Sequence, residues 1–101
     1  MYCILFYEFV DGYLEKRIPY RQEHLNLVHE YIERDLLRLG GAFANPADSA
    51  ALVFFAEDMS VVESFVKVDP YYTNALVKKY TIREWTVVVG KDMIGDQLTK
   101  V

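Results

Sequence analysis

The first predicted strand of this chain is apolar on both of its faces. Tyr2 to Val10 consists of β-branched, aromatic and other apolar residues except for Glu8, and Asp11-Gly12 ends the strand with a turn signal. Alternate residues point to opposite faces, so one face carries Cys3, Leu5, Tyr7 and Phe9 and the other carries Tyr2, Ile4 and Phe6. A strand with one solvent-exposed face would alternate apolar with polar residues. This strand must therefore be covered on both sides.

Helical spacing follows the first strand. Leu25, Val28 and Ile32 form an apolar stripe, which predicts a helix from about Pro19 to Arg34. Leu36 to Ala44 is compatible with a continuation of this helix or with a strand that ends in the flexible pair Gly40-Gly41. The turn residues 45–49 precede a short apolar strand from Ala50 to Ala56.

A second helix and a last strand complete the predicted elements. Ser60-Val61-Val62-Glu63 has the spacing of a capping box, which predicts that a helix opens at Ser60. Pro70 disfavours a helical Asp69, so this helix should end there. Tyr80 to Val89 is the predicted last strand, and residues 91–101 form a polar tail.

Composition excludes several classes of function. A chain of 101 residues predicts a single domain over 1–101, and its net charge of −4 without a dense basic cluster argues against nucleic-acid binding. Cys3 is the only cysteine, which excludes an internal disulfide. The first ten residues lack a basic leader and a cleavage site, and no apolar run approaches the ~20 residues that span a bilayer. We therefore expect a soluble, cytoplasmic protein with no membrane contact.

Two histidines lie on the first predicted helix. If Leu25, Val28 and Ile32 are buried, a rotation of about 100° per residue places His24 on one shoulder of that stripe and His29 on the opposite shoulder. Either could be a boundary residue with one ring nitrogen in water, and the geometry alone does not choose between them. Histidines on opposite shoulders cannot share a metal ion, so we expect no metal site.

Asp69 allows two interpretations. Asp-Pro is a common helix-ending dipeptide in which the carboxylate caps the following turn. Alternatively, Asp69 accepts a hydrogen bond from one nitrogen of His24, which would fix the tautomer and raise the basicity of the other nitrogen. An imidazole held in this way can take and return a proton near neutral pH.

Three short motifs resemble those of one protein family. Leu14-Glu15-Lys16-Arg17, then Arg21-x-x-His24-Leu25, and finally Asp69-Pro70-Tyr71 are similar to segments of YciI-like (YCII-related) proteins, and the resemblance covers nearly the whole chain. It implies that the segment Leu36–Ala44 is a strand. The element order is then β-α-β-β-α-β, an α+β ferredoxin-like sandwich with four antiparallel strands and two helices on one face.

In such a fold no helix packs on the second face of the sheet. The two-sided apolarity of the first strand requires a cover there, and a second copy of the same sheet is the simplest one. We therefore expect a homodimer whose sheets pack face to face, as in dimeric α/β barrels.

The resemblance also implies roles for individual residues. His24 and Asp69 match the paired residues of the family's active site, and Arg21 matches the motif arginine. Gly41 matches a glycine beside the pocket, and Arg83 matches a basic residue in the last strand. We therefore expect Arg21, Gly41 and Arg83 to lie near the site and to bind the substrate. From the residues alone, Tyr7 and Tyr71 could line a cavity for a small aromatic or cyclic ligand, although core or dimer contacts also explain them.

The expected function is that of a small enzyme without a cofactor, in which His24 and Asp69 transfer a proton on a cyclic or aromatic metabolite, as a lyase or isomerase. The alternative is a non-catalytic dimer that binds a small ligand or a partner, in which His24 and Asp69 only brace the helices. Two departures from the family bear on the pocket: Ala42 replaces a common proline, and the connection from Ala44 to Ala50 is short. We expect a more open pocket or a different ligand as a result.

Overall fold

The computed structural model describes residues 1–91, which form four strands and four α-helices. The strands are β1 (Tyr2–Phe9), β2 (Leu37–Ala42), β3 (Ser49–Phe55) and β4 (Val77–Trp85). The helices are α1 (Tyr13–Lys16), α2 (Arg21–Glu33), α3 (Ser60–Val68) and α4 (Pro70–Thr73), with a 3-10 turn (Ile18–Tyr20) before α2. The segment Leu36–Ala44 thus contains a strand. Of the predicted polar tail, only Lys91 lies within the described residues.

The four strands form one antiparallel sheet in the order β2-β3-β1-β4. Leu5 of β1 is paired with Leu52 of β3 on one side and with Ile82 of β4 on the other. This topology is that of a ferredoxin-like α+β sandwich, as predicted. No helix within residues 1–91 has the length and apolarity needed to cross a membrane.

The core lies between one face of the sheet and the helices. On β1, the odd-numbered residues Cys3, Leu5, Tyr7 and Phe9 are buried. Tyr31 of α2 and Phe65 of α3 pack edge-on against each other with ring centroids 5.1 Å apart, and Phe54 of β3 lies 5.3 Å from Phe65. These aromatic contacts join both main helices to the centre of the sheet.

The orientation of α2 differs from the prediction. Tyr31 is buried, Val28 is half-buried, and Ile32, which was predicted to face the core, is 46% exposed. The helix is therefore turned so that the side carrying His24 and Tyr31 faces inward. The prediction failed because it ranked tyrosine and histidine below aliphatic residues, whereas an aromatic cluster at Tyr31 determines the packing.

The bounds of β4 differ from the prediction, whereas α3 begins at Ser60 as predicted but is capped differently. β4 ends at Trp85, which pairs with Tyr2, the first residue of β1, so β4 ends where its partner strand begins. At the start of α3, Ser60 is the first helical residue and its hydroxyl does not cap the helix. Instead the carboxylate of Asp58 accepts a hydrogen bond from the backbone N–H of Ser60 at 2.7 Å.

The packing predicts that Phe54→Ala lowers the free energy of unfolding by about 3–5 kcal/mol, because it opens a cavity beneath Tyr31 and Phe65. Phe43→Ala is the matched control, since Phe43 is 53% exposed, and it should cost less than about 1 kcal/mol. Urea unfolding of both variants measures the difference. Equal losses would contradict this assignment of the core.

Candidate functional site

Asp69 lies at the junction of α3 and α4. The proline that follows it disfavours a helical conformation, and its backbone is extended, with φ −68° and ψ 120°. This break lets the side chain cap α4, where Oδ1 accepts a hydrogen bond from the backbone N–H of Tyr71 at 3.0 Å. The capping interpretation of Asp69 therefore describes part of its environment.

The same carboxylate oxygen contacts His24. Nδ1 of His24 lies 2.8 Å from Oδ1 of Asp69, and the side chains are 12% and 0% exposed, respectively. A carboxylate can only accept hydrogen bonds, so Nδ1 carries the hydrogen and donates it. Nε2 is then the nitrogen that remains to exchange a proton. The side chain of Asp69 thus both caps α4 and accepts a hydrogen bond from His24.

The second carboxylate oxygen of Asp69 contacts Tyr7. The Tyr7 hydroxyl donates a hydrogen bond to Oδ2 at 2.7 Å, and the tyrosine is 1% exposed. Burial raises the pKa of Tyr7 well above its ordinary value, and the charge and hydrogen bond of Asp69 raise it further. Tyr7 therefore remains a donor across the working pH range, and its hydroxyl is already engaged by Asp69.

His24 belongs to one stacked pair of rings, and a second stacked pair lies next to it, with the ring centroids of Phe9 and Tyr71 6.3 Å apart. The ring of Tyr71 lies parallel to that of His24, with centroids 3.8 Å apart and planes 3° apart. Phe9 and Tyr13 stack with centroids 3.8 Å apart and planes 8° apart. The first pair fixes the plane of the imidazole, and the second adds a further aromatic surface nearby.

These rings line a cleft of about 270 Å³ between α2 and the inner face of β1, β2 and β3. Among the predicted site residues, five line the cleft: Tyr7, Arg21, His24, Gly41 and Tyr71. Asp69 lies behind His24 and is fully buried. The cleft is thus concave and largely apolar, as small-molecule sites usually are.

Arg83, in contrast, does not line this cleft in the single chain, although the resemblance implied that it lies near the site. It pairs with Ile4 in the sheet register, and Ile4 alternates with the buried residues of β1. Arg83 is therefore on the opposite face of the sheet. His29 is exposed on the outer side of α2, so the orientation of the helix distinguishes the two histidines.

Sequence analysis missed several residues of the cleft. Tyr13, Arg17 and Arg38 also line it, and among them only Arg17 belongs to a sequence motif, Leu14-Glu15-Lys16-Arg17. The role of Tyr7 as a donor to Asp69 was missed as well, because no spacing rule links the first strand to the end of α3. Among residues 1–91 there is no cluster of three histidine, cysteine or acidic side chains that could hold a metal ion.

The bond between Tyr7 and Asp69 predicts a distinct pH dependence of stability. The folded-state pKa of Tyr7 is above its unfolded value of about 10, so its contribution is complete below pH 10 and is lost as the pH rises further. Above pH 10 the free energy of unfolding of the wild type should fall more steeply than that of Tyr7→Phe, by up to about 1.4 kcal/mol per pH unit. Urea unfolding at several pH values measures both slopes.

At neutral pH, Tyr7→Phe should cost about 1–3 kcal/mol, because it leaves one buried carboxylate oxygen without its donor. Tyr20→Phe is the matched control, since Tyr20 is partly exposed and forms no hydrogen bond with Asp69. If the free energies of unfolding of the wild type and Tyr7→Phe fell in parallel above pH 10, the assignment of a buried hydrogen bond from Tyr7 to Asp69 would be contradicted.

Comparison with solved structures shows the fold in other proteins. 5-Chloro-2-hydroxyhydroquinone dehydrochlorinase (TftG) from Burkholderia phenoliruptrix AC1100, in complex with 2,5-dihydroxybenzoquinone, matches with a TM-score of 0.72 and 22% identity, over 84% of this chain and 93% of that chain. A NIPSNAP domain protein from Burkholderia xenovorans matches with a TM-score of 0.51 and 13% identity, over 94% and 98% of the two chains. An antibiotic biosynthesis monooxygenase gives a TM-score of 0.51 and 13% identity, over 82% and 94%.

The likenesses to TftG, the NIPSNAP domain protein and the monooxygenase show that these proteins share the ferredoxin-like α+β fold of this chain. No curated protein matches the sequence significantly. The family model of the YCII-related domain, however, matches residues 1–86 of the 101 residues. The chain therefore belongs to the YCII-related domain family.

Proposed function

We propose that this protein is a small enzyme in which His24 transfers a proton to or from a ring-shaped substrate, with Asp69 as its positioning partner. The reaction class is that of a lyase or an isomerase, and the substrate is a small cyclic or aromatic compound. The single observation that carries the proposal is the 2.8 Å contact between Nδ1 of His24 and the fully buried carboxylate of Asp69.

The direction of proton transfer depends on which imidazole nitrogen of His24 is free. Because Asp69 accepts from Nδ1, the lone pair of Nε2 can take a proton from the substrate, and Asp69 stabilises the imidazolium that forms. In an elimination, the electron pair of the broken bond forms a new double bond, and the leaving group departs with its own bonding pair. In an isomerisation, Nε2 returns the proton to a different atom. Neither reaction needs an external oxidant or reductant.

The walls of the cleft support a ring as substrate. Tyr71 stacks on His24, and Phe9 with Tyr13 forms a second stacked pair, so planar surfaces surround the imidazole. The volume of about 270 Å³ exceeds the roughly 150 Å³ cavity that holds benzene in an engineered protein. One substituted ring therefore fits. The dehydrochlorinase with the same fold supplies a test compound, 5-chloro-2-hydroxyhydroquinone.

The proposal predicts that His24→Ala lowers kcat by about 10²- to 10⁴-fold, the usual contribution of a general base or acid. Turnover is measured as chloride release from 5-chloro-2-hydroxyhydroquinone and, for unhalogenated ring compounds, as exchange of ring protons with deuterated water. His29→Ala is the matched control on the outer side of the same helix and should retain wild-type rates. A wild-type rate in His24→Ala would eliminate the proposal.

Stability distinguishes this proposal from the alternative of a non-catalytic ligand-binding dimer. Without His24, Asp69 still accepts from Tyr7 and from the backbone of Tyr71, so the catalytic proposal expects little change in the free energy of unfolding. A bracing role would instead make His24→Ala cost about 1–3 kcal/mol. A wild-type protein that binds ring compounds without turnover or exchange would favour the alternative.

We further propose that the protein is a homodimer whose sheets pack face to face. The face of the sheet opposite the helices carries Ile4 and Val53 at its centre, with Phe6, Phe55 and Trp85 exposed by 38%, 42% and 48%, respectively. These residues form an apolar surface across β1 and β3 that Trp85 extends onto β4, where Arg83 and Thr81 border it. Exposed apolar patches of this kind usually mark an interface.

The dimer proposal predicts that Val53→Glu gives a monomer, because it places a charge at the centre of the apolar face. Val68→Glu is the matched control, since Val68 is 58% exposed on α3 in the helical layer. Sedimentation velocity gives the mass of each variant, and circular dichroism checks its folding. A monomeric wild type, or a dimeric and folded Val53→Glu variant, would refute this arrangement.

A further inference from the structure

The cleft concentrates positive charge although the chain as a whole is acidic. The net charge is −4, yet Arg17, Arg21 and Arg38 are among the residues that line the cleft. No aspartate or glutamate is among the lining residues described, because Asp69 is buried behind His24. A ligand in the cleft therefore meets cations, an imidazole and apolar surfaces.

Two of the three arginines have no carboxylate partner within residues 1–91. Arg38 forms an ion pair with Asp35 at 3.4 Å, and its guanidinium carbon lies 5.1 Å from the ring centre of Phe55 on the opposite face of the sheet, so its charge lies outside the cleft. Arg17 and Arg21 form no such pair and instead contact tyrosines. Their charges are therefore available to a ligand.

These two arginines are held beside the stacked rings. Nη1 of Arg21 donates to the Tyr71 hydroxyl at 3.2 Å, and Tyr71 is the residue that stacks on His24. Nη1 of Arg17 lies 3.5 Å from the Tyr13 hydroxyl, and its guanidinium carbon is 5.4 Å from the centre of that ring. Each stacked pair thus carries a guanidinium near its hydroxyl end.

We propose that the cleft selects an anion: a single planar ring that carries a carboxylate, phenolate or enolate oxygen. Arg17 and Arg21 bind the anionic oxygen through charge-assisted hydrogen bonds, and the ring lies against the aromatic walls close to His24. This inference rests on the proposed function, because it names the ligand class of the same cleft. It adds the charge of the ligand, which the His24–Asp69 contact alone does not specify.

The test compares the binding of anions with that of neutral compounds of nearly the same shape. The probes are benzoate, 4-hydroxybenzoate and 2,5-dihydroxybenzoate, each paired with its own amide, and isothermal titration calorimetry at low salt gives the dissociation constants. At least one acid should bind about 10- to 100-fold more tightly than its amide, since hydrogen bonds to charged groups are stronger than neutral ones. That preference should shrink as salt is added.

Variants assign the preference to the two arginines. The double variant Arg17→Gln/Arg21→Gln should lose the preference for the acid while the affinity for the amide stays within about twofold, and Arg21→Lys should retain part of it. Arg34→Gln is the matched control, because Arg34 follows the end of α2, packs over the ring of Tyr31, and does not line the cleft. Circular dichroism and urea unfolding confirm that each variant is folded.

Equal affinity for acids and amides, no binding of any acid at millimolar concentration, or a preference that survives in the double variant would overturn the inference. Its failure is separable from that of the proposed function. Turnover that depends on His24 without a preference for anions would refute only the inference. A preference that depends on the arginines, without any turnover, would refute only the catalytic proposal.

Discussion

The carboxylate of Asp69 sits in the interior of the molecule with three donors around it, and much of the structure follows from satisfying it. Its partners are the imidazole of His24 on α2, the hydroxyl of Tyr7 on β1 and the backbone of Tyr71 at the start of α4. A buried charge without such partners would cost several kcal/mol. Three separate segments meet at this carboxylate, and their meeting point is also the inner end of the cleft.

The order of strands and helices could be predicted from the sequence, whereas the orientation of α2 could not. Local signals such as Asp11-Gly12 and Asp69-Pro70 mark the ends of elements, because they act through the backbone of neighbouring residues. The inward face of α2 depends instead on how Tyr31 packs between Phe54 and Phe65, which are distant in sequence. The end of β4 likewise depends on where its partner β1 begins.

The residues of the candidate site also differ in whether they could be predicted from the sequence. His24 and Asp69 could be paired from short motifs and a family resemblance, and the structure brings them into contact. The bond from Tyr7 to Asp69 and the grouping of Arg17 with Arg21 beside stacked rings arise only from tertiary packing. The position of Arg83 shows the limit of the resemblance, since a match in sequence did not specify which face of the sheet the side chain occupies.

The tautomer of His24 tests the central claim most directly. Long-range ¹H–¹⁵N correlation spectra of the wild-type protein, with His24→Ala used for assignment, report which ring nitrogen carries the hydrogen when the imidazole is neutral. The account predicts a hydrogen on Nδ1 and a bare Nε2, because the buried carboxylate accepts from Nδ1. A neutral His24 with its hydrogen on Nε2 would contradict the account, since Asp69 would then not orient the ring for proton transfer.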